Sequence, residues 1–240
     1  MQRSSGVLMH ISSLPSDYGI GSLGAPAYAF ADFLRASGQH YWQVLPLGPT
    51  GFGDSPYQSF STFAGNPYFI DLPMLQQEGL LTARELEQQR WNGDPERVDY
   101  AWLYENRFTV LRHAFDRGRV RDRLALIRFR EENPWVEDYA LFMALKAHFD
   151  QKSWLEWPEE DIRRRKSGAV ARYRSMLQED IDFFCYVQYL FFRQWNALRS
   201  YVHKQGLELI GDLPIYVAMD SADVWSEPGF FQLDEDLMPT

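Results

Sequence analysis

Three short apolar runs, each followed by a loop, predict an α/β fold with parallel strands. The runs are Gly6-Val7-Leu8-Met9-His10-Ile11, Tyr41-Trp42-Gln43-Val44-Leu45-Pro46 and Leu207-Glu208-Leu209-Ile210-Gly211. Helical sequence separates them. The first two enclose one helix and form a βαβ unit, for which a right-handed parallel connection is the rule. This pattern fits a (β/α)8 barrel or an open, doubly wound sheet. Two observations favour the barrel. The loops after the runs are long, polar and aromatic, and the stretch 73–175 reads as one helical insertion of the kind that barrel loops tolerate. Three strands do not close a barrel of eight, so the chain reads as an open sheet or as part of something longer.

Each element has its own signal. The first run predicts a buried strand over 7–11, ending at Ser12-Ser13-Leu14-Pro15. Gly19-Ile20-Gly21-Ser22-Leu23-Gly24 matches G-x-G-x-x-G and precedes a helix. A dinucleotide fingerprint needs its glycines directly after the strand, with an acid at the tip of the next strand for a ribose. Here several residues including Pro15 intervene, and the next strand ends in Val44-Leu45-Pro46, so tight turns account for the glycines. Pro26 to Ala36 is a helix with Ala27, Phe30, Ala31, Phe33 and Leu34 on its apolar face and Gly38 as its stop. Tyr41 to Pro46 is a buried strand, and Asn66 to Leu72 reads as extended.

From Pro73 the composition turns helical. Leu75 to Gly79 is short, and Thr82 with Glu85 forms a capping box. Tyr100 to Phe115 carries Leu103, Phe108, Leu111 and Phe115 at helical spacing. Arginines crowd 117–132, but Asp122, Glu131 and Glu132 interleave them, which is a solvated helix face rather than a phosphate site. Pro134 to Phe149 is apolar on most sides and so lies inside the protein. His148 is a packing residue there. Trp154-Leu155-Glu156-Trp157-Pro158 is a turn that serves either as a sugar platform or as a cap on the helical layer. Asp180 to Lys204 is the longest helix, stopped by Gly206. The strand over 207–211 delivers Asp212 to its tip. Asp220 to Trp225 has a helix-cap pattern, and Gly229 to Asp234 reads as a hairpin arm.

Composition narrows the function. The net charge is −9, from 24 basic and 33 acidic residues, which excludes a general nucleic-acid binder. Cys185 is the single cysteine, so neither an internal disulfide nor a cysteine-based zinc site is open to it. One buried thiol suits a reducing cytoplasm. The start, MQRSSGVLMHISSLP, has no sustained apolar core of a signal peptide. No apolar run reaches the roughly 18 residues of a membrane span. A cytoplasmic protein that avoids membranes is expected. The aromatic share, 16%, reads as a large aromatic core or as a carbohydrate contact surface.

One loop points to carbohydrate. Gly48-Pro49-Thr50-Gly51-Phe52-Gly53-Asp54-Ser55-Pro56-Tyr57 is too rich in glycine and proline for helix or central strand. It nevertheless carries Phe52 and Tyr57, with Phe60 and Phe63 close behind. Aromatic faces stack on the apolar faces of pyranose rings, and short polar side chains such as Asp54 and Ser55 bond the hydroxyls.

The motifs SGVLMHISSLPSDYGIGSLG, YWQVLPLGPTGFGDSPYQSFSTFAGNPYFIDL, WVEDYALFMALK, QYLFFRQW and IGDLPIYVAMDSADVW resemble those of the amylomaltase (disproportionating enzyme) family, 4-α-glucanotransferases of glycoside hydrolase family 77. The resemblance covers essentially all of the chain. It implies a cytoplasmic enzyme that moves α-1,4-glucan segments between maltooligosaccharides on a (β/α)8 TIM barrel, with no metal or nucleotide cofactor. On this reading residues 1–240 are the amino-terminal part of one catalytic barrel domain, and 73–175 are a helical insertion within it. Tyr57 resembles the tyrosine that stacks on the sugar at the cleavage point, with Ser55 and Asp54 in the same wall. Asp212, in Ile210-Gly211-Asp212-Leu213-Pro214, resembles the aspartate that helps hold that sugar. Phe52 and Tyr104 resemble positions of an outer glucan-binding surface, although the family commonly has tyrosine in place of Phe52.

The departure is large. The family is about twice this length, and its Arg-x-Asp-His-Phe-Arg-Gly-type nucleophile motif has no match here. The glutamic acid/base and the third carboxylate are unmatched too. Retaining transfer needs a nucleophile and an acid/base about 5 Å apart, and no such pair is recognisable. The chain alone is therefore expected to be catalytically silent, its transferase chemistry completed elsewhere. The alternatives are a non-catalytic glucan-binding fragment and a hydrolase that uses carboxylates within these residues.

Overall fold

The computed structural model describes residues 3–51 and 53–240. In chain order the elements are β1 (Gly6–Leu8), α1 (Ala25–Ala36), β2 (Tyr41–Gln43), α2 (Leu72–Gln77), α3 (Ala83–Glu87), α4 (Tyr100–Arg121) and α5 (Arg123–Glu132). Then follow α6 (Trp135–His148), α7 (Glu160–Arg163), α8 (Ser167–Met176), α9 (Gln178–Lys204), β3 (Glu208–Ile210) and α10 (Ala222–Ser226). Two compact units result. One holds Met1–Leu47, Gly65–Arg123 and Tyr189–Leu213, and the other Gly48–Ala64, Leu124–Gln188 and Pro214–Thr240. Among the described residues no helix is long and apolar enough to cross a membrane.

The first unit carries a three-stranded parallel sheet in the order β1-β2-β3. Val7, Trp42 and Leu209 lie side by side in register. Trp42 is fully buried, its ring edge-on to Phe30 of α1 at 5.0 Å and its Nε1 donating to the Met9 carbonyl at 2.7 Å. The strands are shorter than the sequence predicts. Only Trp42 is buried within them, while Leu8 and Ile210 on the outer strands are exposed. Alternate strand residues face opposite sides, and helix α1 covers the Trp42 side. After Leu8 the chain leaves the sheet for a 3-10 turn at Ile11–Ser13.

The segment 66–72, expected to be extended, instead forms a 3-10 turn at Pro67–Phe69 and then enters α2. Side chains capture its backbone groups before a strand neighbour can. Asn66 Oδ1 accepts from the Tyr68 amide at 2.9 Å, and Asp71 Oδ1 caps α2 by accepting from Met74 at 2.9 Å. Arg107 of α4, fully buried, donates to the carbonyls of Tyr68, Ile70 and Tyr18. Burial lowers its guanidinium pKa to about 10, so it remains charged. Gln194 of α9 bonds both backbone groups of Asp71. The G-x-G-x-x-G stretch lies against this knot. A Cβ on Gly21 would overlap the Ile11 carbonyl, and one on Gly24 would overlap the Asp71 carboxylate. Close packing, not a phosphate, requires these glycines.

The predicted capping box forms in full, with Thr82 and Glu85 bonding each other's backbone. Arg117 pairs with Glu85 at 2.8 Å, which drives the Glu85 carboxyl down to about 2. Arg130 bridges Glu137 at 2.6 Å and Asp182 at 2.8 Å. Arg117, Arg121 and Arg130 of the arginine-rich stretch are thus tied into carboxylate pairs.

In the second unit α6 is buried on nearly every side, from Val136 to Lys146. Phe142 meets Trp157 at 5.8 Å and Trp225 at 5.9 Å. Trp154 and Trp157 are buried, so the tryptophan-rich turn caps the helical layer and offers no sugar platform. His148 sits at the surface with its ring edge-on to Phe149 and Tyr173. Burial pushes the Cys185 thiol up to about 12, which leaves it unreactive. The hairpin arm expected at 229–234 forms in part: Gly229 and Phe230 lie in a 3-10 turn (Pro228–Phe230), while Leu233 pairs antiparallel with Pro239, and the Asp234 and Thr240 amides bond across to the carbonyls of Met238 and Gln232. Pro228, with its fixed φ, opens the 3-10 turn, which the Phe231 amide closes by donating to the Pro228 carbonyl.

Two outcomes follow for the first unit. His10 is buried with its Nδ1 unpaired, and burial lowers its pKa from 6.5 to about 4. Its neutral form is the folded one, so stability is full above pH 6.5 and falls as the pH drops toward 4. Thermal unfolding should show a loss of about 2 kcal/mol between about pH 7 and pH 5 that His10→Gln largely removes. Gly21→Ala should cost about 2 kcal/mol or more in chemical denaturation, because backbone carbonyls cannot retreat as side chains do.

Candidate functional site

The loop carrying Asp54, Ser55 and Tyr57 belongs to the second unit. It is a pinched hairpin. Thr50 and Ser59 form a single antiparallel bridge, and the Gly51 amide donates to the Gln58 carbonyl at 2.9 Å. Within it, Gly53 (φ +84) and Asp54 (φ +57) both take the left-handed conformation, which glycine adopts freely and aspartate tolerates. That turn leaves Asp54 at the surface, and partial burial nudges its carboxyl pKa upward. The Tyr57 amide donates to Ser55 Oγ at 3.3 Å, which fixes the two residues together. Tyr57 is 45% exposed, so its ring does not fill the loop base.

The return strand of the loop is clamped. The Thr62 amide donates to Asp223 Oδ2 at 2.7 Å, Ser61 Oγ lies 3.5 Å from Asp223 Oδ1, and the Ala222 amide donates to the Phe60 carbonyl at 2.8 Å. Asp223 is held in place by α10, whose N-cap Ser221 accepts from the Val224 amide. Burial raises the Asp223 carboxyl pKa, and the bonds from Thr62 and Ser61 oppose that rise. Beneath the loop lies Lys146, only 2% exposed. Its ammonium pairs with Asp220 Oδ2 at 2.5 Å, bonds the Lys152 carbonyl at 3.1 Å and sits 5.0 Å from the Phe60 ring centroid. Asp220 also accepts from the Trp154 amide at 3.2 Å.

Two other expected site residues, Asp212 and Tyr104, lie in the first unit. Asp212 follows β3 by two residues and is half-buried. Tyr104 projects from α4, 55% exposed. Phe52 lies outside the described residues. The structure thus brings Asp54, Ser55 and Tyr57 into one loop and seats Asp212 and Tyr104 in the other unit. Sequence reasoning missed Lys146, Asp220 and Asp223. A usable signal existed for Lys146, which falls in the same helical register as Tyr139, Phe142 and Met143 on a buried face.

The sequence profile described as 4-alpha-glucanotransferase matches residues 9–237. The chain belongs to the 4-alpha-glucanotransferase family. The 4-alpha-glucanotransferase of Clostridium butyricum is 46% identical over 231 residues, covering 96% of this chain and 47% of the relative. That of Thermus thermophilus is 46% identical over 246 residues, covering 100% of this chain and 48% of the relative. Among solved structures, the amylomaltase of Streptococcus agalactiae in complex with acarbose superposes with a TM-score of 0.95 at 47% identity. That match covers 98% of this chain and 48% of the other. The Corynebacterium glutamicum amylomaltase, 21% identical with a TM-score of 0.70, shares the fold. This member of the 4-alpha-glucanotransferase family spans about half the length of the curated relatives it matches.

The clamp has a direct consequence. Asp220→Ala leaves a buried ammonium without its counter-charge and should lower the unfolding free energy by about 3 kcal/mol. Replacing both partners, as Lys146→Met with Asp220→Leu, should recover most of that loss. Urea unfolding of these two variants beside the unaltered chain checks both statements.

Proposed function

We propose that this chain supplies the glucan-binding part of a 4-α-glucanotransferase that moves α-1,4-glucan segments between maltooligosaccharides by a retaining double displacement. The exposed Tyr57 ring on a clamped loop is the observation that carries the reading. Tyr57 stacks on the sugar at the cleavage point, and Ser55 and Asp54 in the same loop bond its hydroxyls. Asp212 accepts hydroxyl hydrogen bonds from the glucan. Tyr104 contributes to an outer glucan-binding surface. The identity to 4-alpha-glucanotransferases and the likeness to an acarbose-bound amylomaltase support the substrate class. The negative charge disfavours nucleic acid as a partner, and the lone buried thiol fits a cytoplasmic setting.

The architecture on this reading is the amino-terminal part of a (β/α)8 barrel. The strand order β1-β2-β3 supports it, because a barrel adds strands in sequence whereas a classic-order dinucleotide sheet places its first strand centrally. Residues 73–175 form the helical insertion, in keeping with the lack of strands among the described residues there. Double displacement needs two carboxyl groups about 5 Å apart, one attacking the anomeric carbon and one protonating the leaving oxygen. No Arg-x-Asp-His-Phe-Arg-Gly-type stretch occurs among the 240 residues. We therefore assign the chain glucan binding without turnover; the alternative to its being part of a transferase is a non-catalytic glucan binder.

Incubation with maltotriose followed by product analysis tests this. Unchanged maltotriose is expected, with binding that Tyr57→Ala weakens by about tenfold through the lost ring contact. Release of glucose and longer maltodextrins would mean that a carboxylate pair within these residues performs the transfer.

A further inference from the structure

The second unit contains a cavity of about 400 Å³ whose lining does not include Asp54, Ser55 or Tyr57. The volume falls within the roughly 300–1,000 Å³ of small-molecule sites. Phe63, Trp135 and Phe230 form its apolar walls, and Asp138, Asp223 and Glu227 supply oxygen acceptors. The Phe63 and Trp135 rings stack at 6.1 Å with an interplanar angle of 21°. Phe63 is 59% exposed and Phe230 85% exposed. Large rings left in water around a concave polar floor mark a binding surface.

We propose that this cavity is a second sugar-binding pocket, one that grips a glucan at a point separate from the Tyr57 loop. The inference rests on the glucan reading above and extends it. The chemistry of the lining selects the ligand. Three carboxylates repel anions. A cation finds less attraction than their number implies, because Asp138 is already paired with Arg165 at 3.0 Å and with Arg174 at 3.1 Å. Asp223 is spoken for on one side by the Thr62 amide and the Ser61 hydroxyl, which fixes the orientation of its oxygens. Each carboxylate oxygen has further lone pairs to accept from hydroxyl donors. A ligand with flat C–H faces for the rings and many O–H donors for the oxygens is a pyranose. The pocket also has a built link to the first loop. Thr62, Phe63 and Tyr57 lie on one short segment, and the Asp223 that anchors it is part of the pocket floor.

Isothermal titration of the full 240-residue chain with maltoheptaose tests the proposal, using Tyr57→Ala, Phe63→Ala and Phe230→Ala. Both phenylalanines are exposed, so either variant can carry the test if the other folds poorly. The proposal expects Tyr57→Ala to retain measurable binding, and expects Phe63→Ala or Phe230→Ala in that background to weaken the remainder by about tenfold. Loss of all binding in Tyr57→Ala, or a remainder that ignores both phenylalanines, overturns the pocket and leaves the Tyr57 site standing. Absence of maltoheptaose binding to the unaltered chain overturns both.

Discussion

An ammonium withdrawn from water costs several kcal/mol unless the protein surrounds it with oxygen. Lys146 meets that demand with the Asp220 carboxylate and the Lys152 carbonyl, and its remaining surface faces the rings of Phe60 and Phe142. Each partner belongs to a different stretch of chain. Lys152 and Trp154 follow α6, Asp220 precedes α10, and Phe60 sits in the loop that carries Tyr57. One buried charge therefore gathers three otherwise independent segments of the second unit. Asp223 completes the arrangement one helical turn later by holding the Thr62 amide.

The first unit uses the same device with the opposite partner. Arg107 is buried with no carboxylate in its hydrogen-bond set, and backbone carbonyls from Tyr18, Tyr68 and Ile70 receive its donors. Together with the turn bonds made by Asn66 and Asp71, these donors hold 66–72 in a turned conformation instead of an extended one. In both units a cation fixes irregular backbone in place, and loops held that way can present side chains without first ordering them. Binding then escapes much of the entropy cost of immobilising a loop.

Local features were legible in the sequence. Thr82 and Glu85 identified their own capping box, Gly38 and Gly206 marked helix ends, and the all-round apolar pattern of 136–145 placed α6 inside. The three strands were recognisable as apolar runs, but their ends were not. Sequence does not show where a chain stops pairing and starts bonding its own turns, as it does at Ile11–Ser13. The exposed loop with Tyr57 could be read because glycine, proline and aromatic residues together are unusual. Lys146 escaped notice because its carboxylate partner lies 74 residues away, and nothing in the intervening sequence signals that pairing. The pocket around Phe63, Trp135 and Phe230 was hidden for the same reason, since its walls come from three distant segments.

The central claim is that the Tyr57 loop is held in shape before any ligand arrives. Amide hydrogen exchange of the unliganded chain tests it most directly, at Thr62 and Ala222, whose N–H groups donate to Asp223 and to Phe60. The account predicts protection comparable to that of α6, and a marked loss of protection at Thr62 in Asp223→Ala. Exchange at both amides as fast as in an unstructured peptide would contradict it, and would mean that the loop orders only when sugar binds.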